Sequence, residues 1–91
     1  MKYRYQSTEA FWKSFYGLSP EQKVSVRAAW AIFKLNPFDP RLGTHKIHHL
    51  SSVSKRTIYA VCIESDLRVL FTIIGDLVLT IDVGTHDIYK S

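Results

Sequence analysis

Residues 67–83 read Leu67-Arg68-Val69-Leu70-Phe71-Thr72-Ile73-Ile74-Gly75-Asp76-Leu77-Val78-Leu79-Thr80-Ile81-Asp82-Val83. Two runs dense in β-branched and aromatic side chains flank a Gly-Asp pair, which has the two-residue turn chemistry of a tight hairpin. The two runs are therefore expected to be antiparallel neighbours. A third run of the same composition, Thr57 to Ile63, precedes them across the short polar connection Glu64 to Asp66, so the C-terminal half reads as a strand meander. Side chains alternate along a strand. Val69, Phe71 and Ile73 then face one way and Arg68, Leu70 and Thr72 the other. By the same rule Leu77, Leu79, Ile81 and Val83 form one set, and Val78, Thr80 and Asp82 the second.

Upstream, the period changes from two to about 3.6. Ser19, Pro20 and Gln22 form a capping box with proline at the first helical position, where its missing N–H costs nothing. The helix that starts there is expected to run to about Leu35, because Asn36 precedes Pro37 and is pushed out of helical geometry. Val24, Ala28, Ala31 and Leu35 share one face of it, and Val26, Trp30 and Phe33 lie nearly opposite, so two burial partners are expected. Lys23, Arg27 and Lys34 fall on an edge between those faces. An earlier helix follows Ser7 or Thr8 as cap, with Phe11, Phe15 and Leu18 on one stripe and Trp12 and Tyr16 as a second pair, and stops at Gly17. Met1 to Gln6 alternates Lys2 and Arg4 with Tyr3 and Tyr5, the pattern of a short first strand. Asn36 to Gly43 reads as a loop, and Lys46 to Leu50 as a further short strand. The order of one strand, two helices and a strand meander predicts an α+β fold, with the helices packed on one face of a largely antiparallel sheet. The other face is then open, and function is expected there.

The 91 residues allow one domain, 1–91, and 46% hydrophobic composition is enough for a small core. Twelve Lys and Arg against eight Asp and Glu give +4, which favours a polyanion or an acidic protein partner. Cys62 is the single cysteine, so an intrachain disulfide and a cysteine-rich zinc site are both excluded, and a reducing, cytoplasmic setting is expected. The longest uncharged apolar stretch, Val69 to Gly75, is far short of the ~20 residues of a membrane span.

The run Asp82 to Tyr89 leaves a strand, turns at Gly84 and presents His86, Asp87 and Tyr89 close together. A strand-end histidine suits acid or base work, and a surface histidine in a tail explains it as well. His45, His48 and His49 crowd one segment, but neither a cysteine nor a carboxylate lies near them in sequence, so no metal site is expected. Lys46, Lys55, Arg56 and Arg68 could position phosphates. Edge-strand charge against aggregation accounts for Lys55 and Arg56, less readily for an arginine inside an apolar strand. There is no glycine-rich phosphate loop, no nucleophile elbow and no cofactor motif.

Several fragments taken together carry a family resemblance. They are Phe11-Trp12-Lys13 before Leu18-Ser19-Pro20-Glu21, then Asn36-Pro37-Phe38-Asp39-Pro40, Thr44-His45-Lys46-Ile47, Asp66 to Phe71, and Asp82-Val83-Gly84-Thr85-His86-Asp87. In this order and spacing the chain resembles the RelE/ParE superfamily of toxins from bacterial type II toxin–antitoxin pairs, over essentially its whole length. Gly84-Thr85-His86 together with Thr44-His45-Lys46 is similar to the YafQ-like branch of ribosome-dependent mRNA endonucleases.

The resemblance implies metal-independent cleavage in which a ribose 2′-hydroxyl attacks the adjacent phosphate, leaving a 2′,3′-cyclic phosphate and a 5′-hydroxyl. His86 then transfers a proton at the leaving group, and Arg68 stabilises charge at the scissile phosphate. His45 and Asp66 assist as acid-base or orienting groups, and Tyr89 stacks on a base. Ribosome and mRNA are the implied targets, and an acidic antitoxin the implied partner. Trp12, Tyr16, Trp30 and Phe33, more aromatic surface than so small a core readily conceals, are expected to meet that antitoxin. Two positions depart from the pattern: Ala60 and Cys62 stand where active relatives carry basic residues or a histidine. The tail between Asp87 and the aromatic residue is also one residue shorter. A non-nuclease, ParE-like gyrase inhibitor, or a degenerate toxin kept for antitoxin and operator binding, is the alternative.

Overall fold

The computed structural model describes residues 2–64, 66–85 and 88, leaving out the side chains of Val53 and Ser54. Its elements are β1 (Arg4–Ser7), α1 (Glu9–Tyr16), α2 (Pro20–Phe33), a 3-10 turn (Pro40–Leu42), β2 (His45–Lys46), α3 (His48–Ser54), β3 (Tyr59–Glu64), β4 (Leu67–Ile74) and β5 (Leu77–Gly84). The strands form one sheet in the order β1-β5-β4-β3-β2. The meander β3-β4-β5 and the β2–β3 pair are antiparallel, whereas β1 returns to lie parallel to β5, which makes the sheet mixed. No helix among the described residues is long and apolar enough to cross a membrane.

The caps act where the sequence places them. Ser19 accepts from the Gln22 amide while the Gln22 side chain accepts from the Ser19 amide, which closes the capping box of α2. Thr8 caps α1 by accepting from Phe11 N–H, and its hydroxyl donates to Ile81 O at 2.7 Å, which ties α1 to β5. Between α1, α2 and the sheet lies the main core, built on Phe11, Phe15, Val26, Phe33, Val69, Phe71 and Val78. Phe33 and Phe71 meet edge to face at 5.0 Å between ring centres.

Three expectations change. Lys46 to Leu50 is not a strand: pairing covers only His45 and Lys46, and α3 begins at His48. The helix has no side-chain cap, and its Ser-rich sequence is a poor helix former. It is held from outside by burial of Leu50 and by Ser51, whose Oγ accepts from Ile58 N–H at 2.8 Å. The second face of the sheet is consequently not bare, since Leu50 packs there with Ile58, Ala60 and Leu70, while α1 and α2, joined by Leu42 of the 3-10 turn, pack on the first face.

The second change concerns β5. Leu70 pairs with Asp82 and Phe71 with Thr80, so Ile81 is an extra residue in the ladder. This bulge breaks the alternation: Val83 joins the helix-side core, while Ile81 packs on the second face and Asp82 pairs with Leu70 of that face. The carbonyl accepting from Thr8 is that of the extra residue. The third change concerns α2. Val26 and Phe33 are buried, but Val24 and Leu35 remain 64% and 78% exposed, so only one of its two apolar faces is covered within the chain.

Candidate functional site

Cross-strand partners point to the same side of a sheet, so the register places the candidate residues. His45 pairs with Ala60, Ala60 with Leu70 and Leu70 with Asp82, one row across four strands. The next row is Cys62, Arg68 and Gly84. Ala60 and Leu70 belong to the second-face cluster, which puts His45, Cys62, Arg68 and Asp82 on that face. His45 and Arg68 are separated by two strand spacings and one pleat, roughly 12 Å between α-carbons. Between them, of the residues in these two rows, Ala60 is fully buried and Cys62 half-buried.

Gly43 organises the β2 side of this face. It ends the 3-10 turn in a left-handed conformation, φ 59°, and a β-carbon there would come within 3.5 Å of Cys62 Cβ. Its carbonyl lies 3.0 Å from His45 Nδ1 and accepts weakly from the Cys62 thiol at 3.7 Å. A carbonyl only accepts, so this contact needs the proton on Nδ1 and leaves Nε2 of a neutral ring as the basic nitrogen. The loop is held upstream by Asp39, which accepts from the Arg41 amide and guanidinium. These hydrogen bonds to Arg41 hold the Asp39 carboxyl below the usual carboxylate range.

Arg68 is half-buried, and its Nη1 donates to Glu64 O at 2.7 Å and to Leu67 O at 3.2 Å. The carbonyls at the β3–β4 turn thus fix the head of an arginine that extends from an otherwise apolar strand. Asp66 is exposed in that same turn, at the end of the sheet. Asp82 is half-buried and accepts from the Val83 amide at 2.8 Å. Alternation along the strand groups Asp82 with Val78, which lies in the helix-side core, so the bulge separates the two. His86 and Tyr89 lie outside the described residues, as does Asp87.

Of the two departures from the family pattern, Ala60 is fully buried between Leu50, Ile58 and Leu70, so position 60 serves packing. Cys62, half-buried between Gly43 and Arg68, is the one that faces the site. The basic candidates Lys46, Lys55 and Arg56 come together in an open polar pocket with His48, Ser51, Ser52 and Thr57. Sequence reasoning had not joined His48 or the hydroxyls to them.

The aromatic candidates divide. Trp12 is 45% and Tyr16 69% exposed, and with the half-buried Trp30 they line a groove of about 390 Å³ between α1 and α2. Arg27 borders the groove and stacks over Phe15 at 5.4 Å. Phe33 is only 3% exposed and packs against Tyr5, Trp30 and Phe71, so it belongs to the core and not to an interface.

Solved structures share this architecture. The archaeal RelE–RelB complex from Pyrococcus horikoshii OT3 superposes with a TM-score of 0.71 at 14% identity, covering 93% of this chain and 96% of the matched one. The E. coli DinJ–YafQ toxin–antitoxin complex gives 0.76 at 11% identity over 97% of each chain. YafQ from E. coli gives 0.68 at 13% identity over 99% of this chain and 100% of its own. No protein-family model and no curated protein sequence matches the chain. What is shared is the fold, a RelE/YafQ toxin fold over nearly the full length.

Proposed function

We propose that this chain is the toxin of a toxin–antitoxin pair and cleaves mRNA on the ribosome. The observation that carries the reading is the juxtaposition on one sheet face of His45, its Nδ1 bonded to Gly43 O, and Arg68, with Cys62 on the strand between them. In the reaction a base takes the 2′-hydroxyl proton and the 2′-oxygen attacks phosphorus. The P–O5′ bond breaks, and an acid protonates the departing 5′-oxygen. The products are a 2′,3′-cyclic phosphate and a 5′-hydroxyl, with protons balanced. His45 Nε2 acts as the base, Arg68 stabilises the phosphorane by paired N–H contacts, and His86 protonates the leaving group. Asp66 orients, and Tyr89 stacks on a neighbouring base.

An acidic antitoxin is the proposed partner, with the α1–α2 groove at Trp12, Tyr16 and Trp30 as its docking surface. Solved structures of the same fold include complexes with RelB and DinJ, which supports that reading. The test is toeprinting of ribosome-bound mRNA beside a gyrase supercoiling assay. Site-specific mRNA cleavage lost in His86→Ala and Arg68→Ala, with supercoiling unaffected, supports the nuclease. Inhibited supercoiling with intact mRNA replaces it by the gyrase-directed alternative.

A further inference from the structure

The opening between β2, α3 and the start of β3 holds about 500 Å³ and is lined by Lys46, His48, Lys55 and Arg56 with the hydroxyls of Ser51 and Thr57. We propose that it is a phosphate subsite for the RNA strand, separate from the scissile position; this rests on the reading that the chain acts on RNA.

Three observations carry the proposal. The first is charge. No acidic residue occurs between Asp39 and Glu64, whereas Arg41, Lys46, Lys55 and Arg56 do, as many cations as the net charge of the whole chain, +4. The second is backbone strain. Lys55 ends α3 at φ 61° and ψ 22°, and among the described residues it is the only non-glycine with positive φ. A left-handed residue commonly ends a helix, but glycine or asparagine suits the position better, and strained non-glycine residues cluster at ligand clamps and active sites. The third is position. Lys46 directly follows His45 on the edge strand β2; its partner Tyr59 lies on the helix side, so the two side chains leave β2 on opposite faces and the pocket adjoins the candidate base across the edge of the sheet.

The pocket's chemistry selects among ligands. Ammonium and guanidinium groups beside hydroxyls suit a phosphodiester, whose contacts set position without reading sequence. An acidic protein segment binds mainly through anchors such as Trp, Tyr and Arg seated in desolvated pockets; Arg56 is the one lining residue of these types here, and no Phe, Tyr, Trp or aliphatic side chain lines the pocket to seat a partner's anchor. Such side chains lie in the α1–α2 groove. An RNA strand whose scissile phosphate sits between His45 and Arg68 therefore leaves the sheet across β2 and meets Lys46, Arg56 and Lys55.

The test uses the whole chain and a short, non-cleavable 2′-O-methyl oligoribonucleotide, with binding followed by fluorescence anisotropy from about 50 to 200 mM salt. Each phosphate contact to single-stranded nucleic acid contributes about 0.7 to the log–log salt slope, or roughly 2.6-fold in affinity over that range. Lys46→Gln, Lys55→Gln and Arg56→Gln together should lower the slope by about 2 and weaken all base sequences alike. Lys55→Gly should keep or raise thermal stability and still lose RNA affinity, which no purely structural role for Lys55 would give. A wild type that binds with the expected slope but cleaves nothing removes the nuclease and leaves the subsite standing. An unchanged slope in the triple variant overturns the proposal, and so does loss of antitoxin binding with RNA binding intact.

Discussion

A β-carbon built on Gly84 would lie 2.7 Å from Cγ2 of Ile88, closer than such atoms approach in proteins. Gly84 is the last residue of β5 and pairs with Arg68, while Ile88 packs with Leu50, Ile58, Ala60 and Leu70 on the second face. The Ile88 amide also donates to Thr85 O at 3.1 Å. The seat of Ile88 on that face thus depends on space at residue 84, not on an unusual backbone angle. Gly84→Ala should push Ile88 off its seat at about 1–3 kcal/mol, the usual cost of overpacking, and lower Tm by roughly 4–8 °C per kcal/mol. Ile88→Ala in the same chain should relieve part of that loss, so thermal melts of both single variants and the double variant form the check. Simple additivity would show that the two residues do not compete for space.

At Arg68 the expectation concerns chemistry. Its Nη1 is held by Glu64 O and Leu67 O, so a lysine, with one compact charge, would lose either this anchoring or the phosphate contact. Arg68→Ala and Arg68→Lys should each reduce mRNA cleavage by about 10²-fold or more. Both should keep the wild-type circular dichroism and antitoxin binding. Retained activity in Arg68→Lys would reduce its role to bulk charge.

The groove and the core separate interface from packing. Trp12→Ala and Tyr16→Ala should each weaken antitoxin binding by about 2 kcal/mol or more, as interface anchors do, and Tyr16→Ala should leave Tm nearly unchanged because Tyr16 is 69% exposed. Phe33→Ala should destabilise the fold by about 3–5 kcal/mol, since its ring lies among Tyr5, Trp30 and Phe71. Isothermal titration beside chemical denaturation measures both. Trp12→Ala that binds antitoxin as wild type would remove the groove as docking surface.

These aromatics also show how far the sequence could be read. Local signals with short-range causes were legible: the capping box at Ser19 and Gln22, the hairpin at Gly75-Asp76, and the strand 67–74. What escaped depends on distant residues. Nothing local distinguishes Phe33 from Trp30, because burial is decided by Tyr5 and Phe71 from other elements. The sequence around His48 to Ser54 has weak helix propensity, and α3 exists through Leu50 and the Ser51–Ile58 bond. The bulge at Ile81 moved Asp82 to the second face, and the hydroxyl that donates to the Ile81 carbonyl belongs to Thr8, 73 residues away. Within the candidate site, residue types were readable, but the Gly43 carbonyl that orients His45 is a backbone atom that side-chain patterns do not reveal.

Tyr5 links β1 to α2 through its phenol, which donates to Phe33 O at 3.1 Å. Burial, and next the neighbouring Tyr3, raise its pKa above the ordinary tyrosine value. A raised folded pKa means that the contribution is complete below about pH 10, the unfolded value, and is lost as pH climbs through the folded value. Tyr5→Phe should cost about 1 kcal/mol at neutral pH, and the gap to wild type should close in alkaline urea titrations. A gap that stays constant above pH 10 would show that the hydroxyl does not stabilise the fold.

Cys62 offers the sharpest test of the cleavage reading. It pairs with Arg68 across the sheet and sits under Gly43, on the one departing position that faces the site. Active relatives carry a basic residue or histidine in this region, according to the resemblance drawn from the sequence. An imidazole at 62 would add a proton-transfer group between His45 and Arg68, on a side chain that is half-buried beside the exposed Gly43. Cys62→His should therefore raise cleavage, by up to the 10²–10⁴-fold that a positioned acid or base typically contributes. The gain should follow a pH profile with a new ionisation near that of imidazole. Cys62→Ser, similar in size, should leave cleavage near wild type, because the thiol's long contact to Gly43 O is too weak to orient the loop. If Cys62→His folds and binds antitoxin yet cleaves no faster, while Cys62→Ser is inactive, the thiol itself takes part and this position does not stand in for the family's ring.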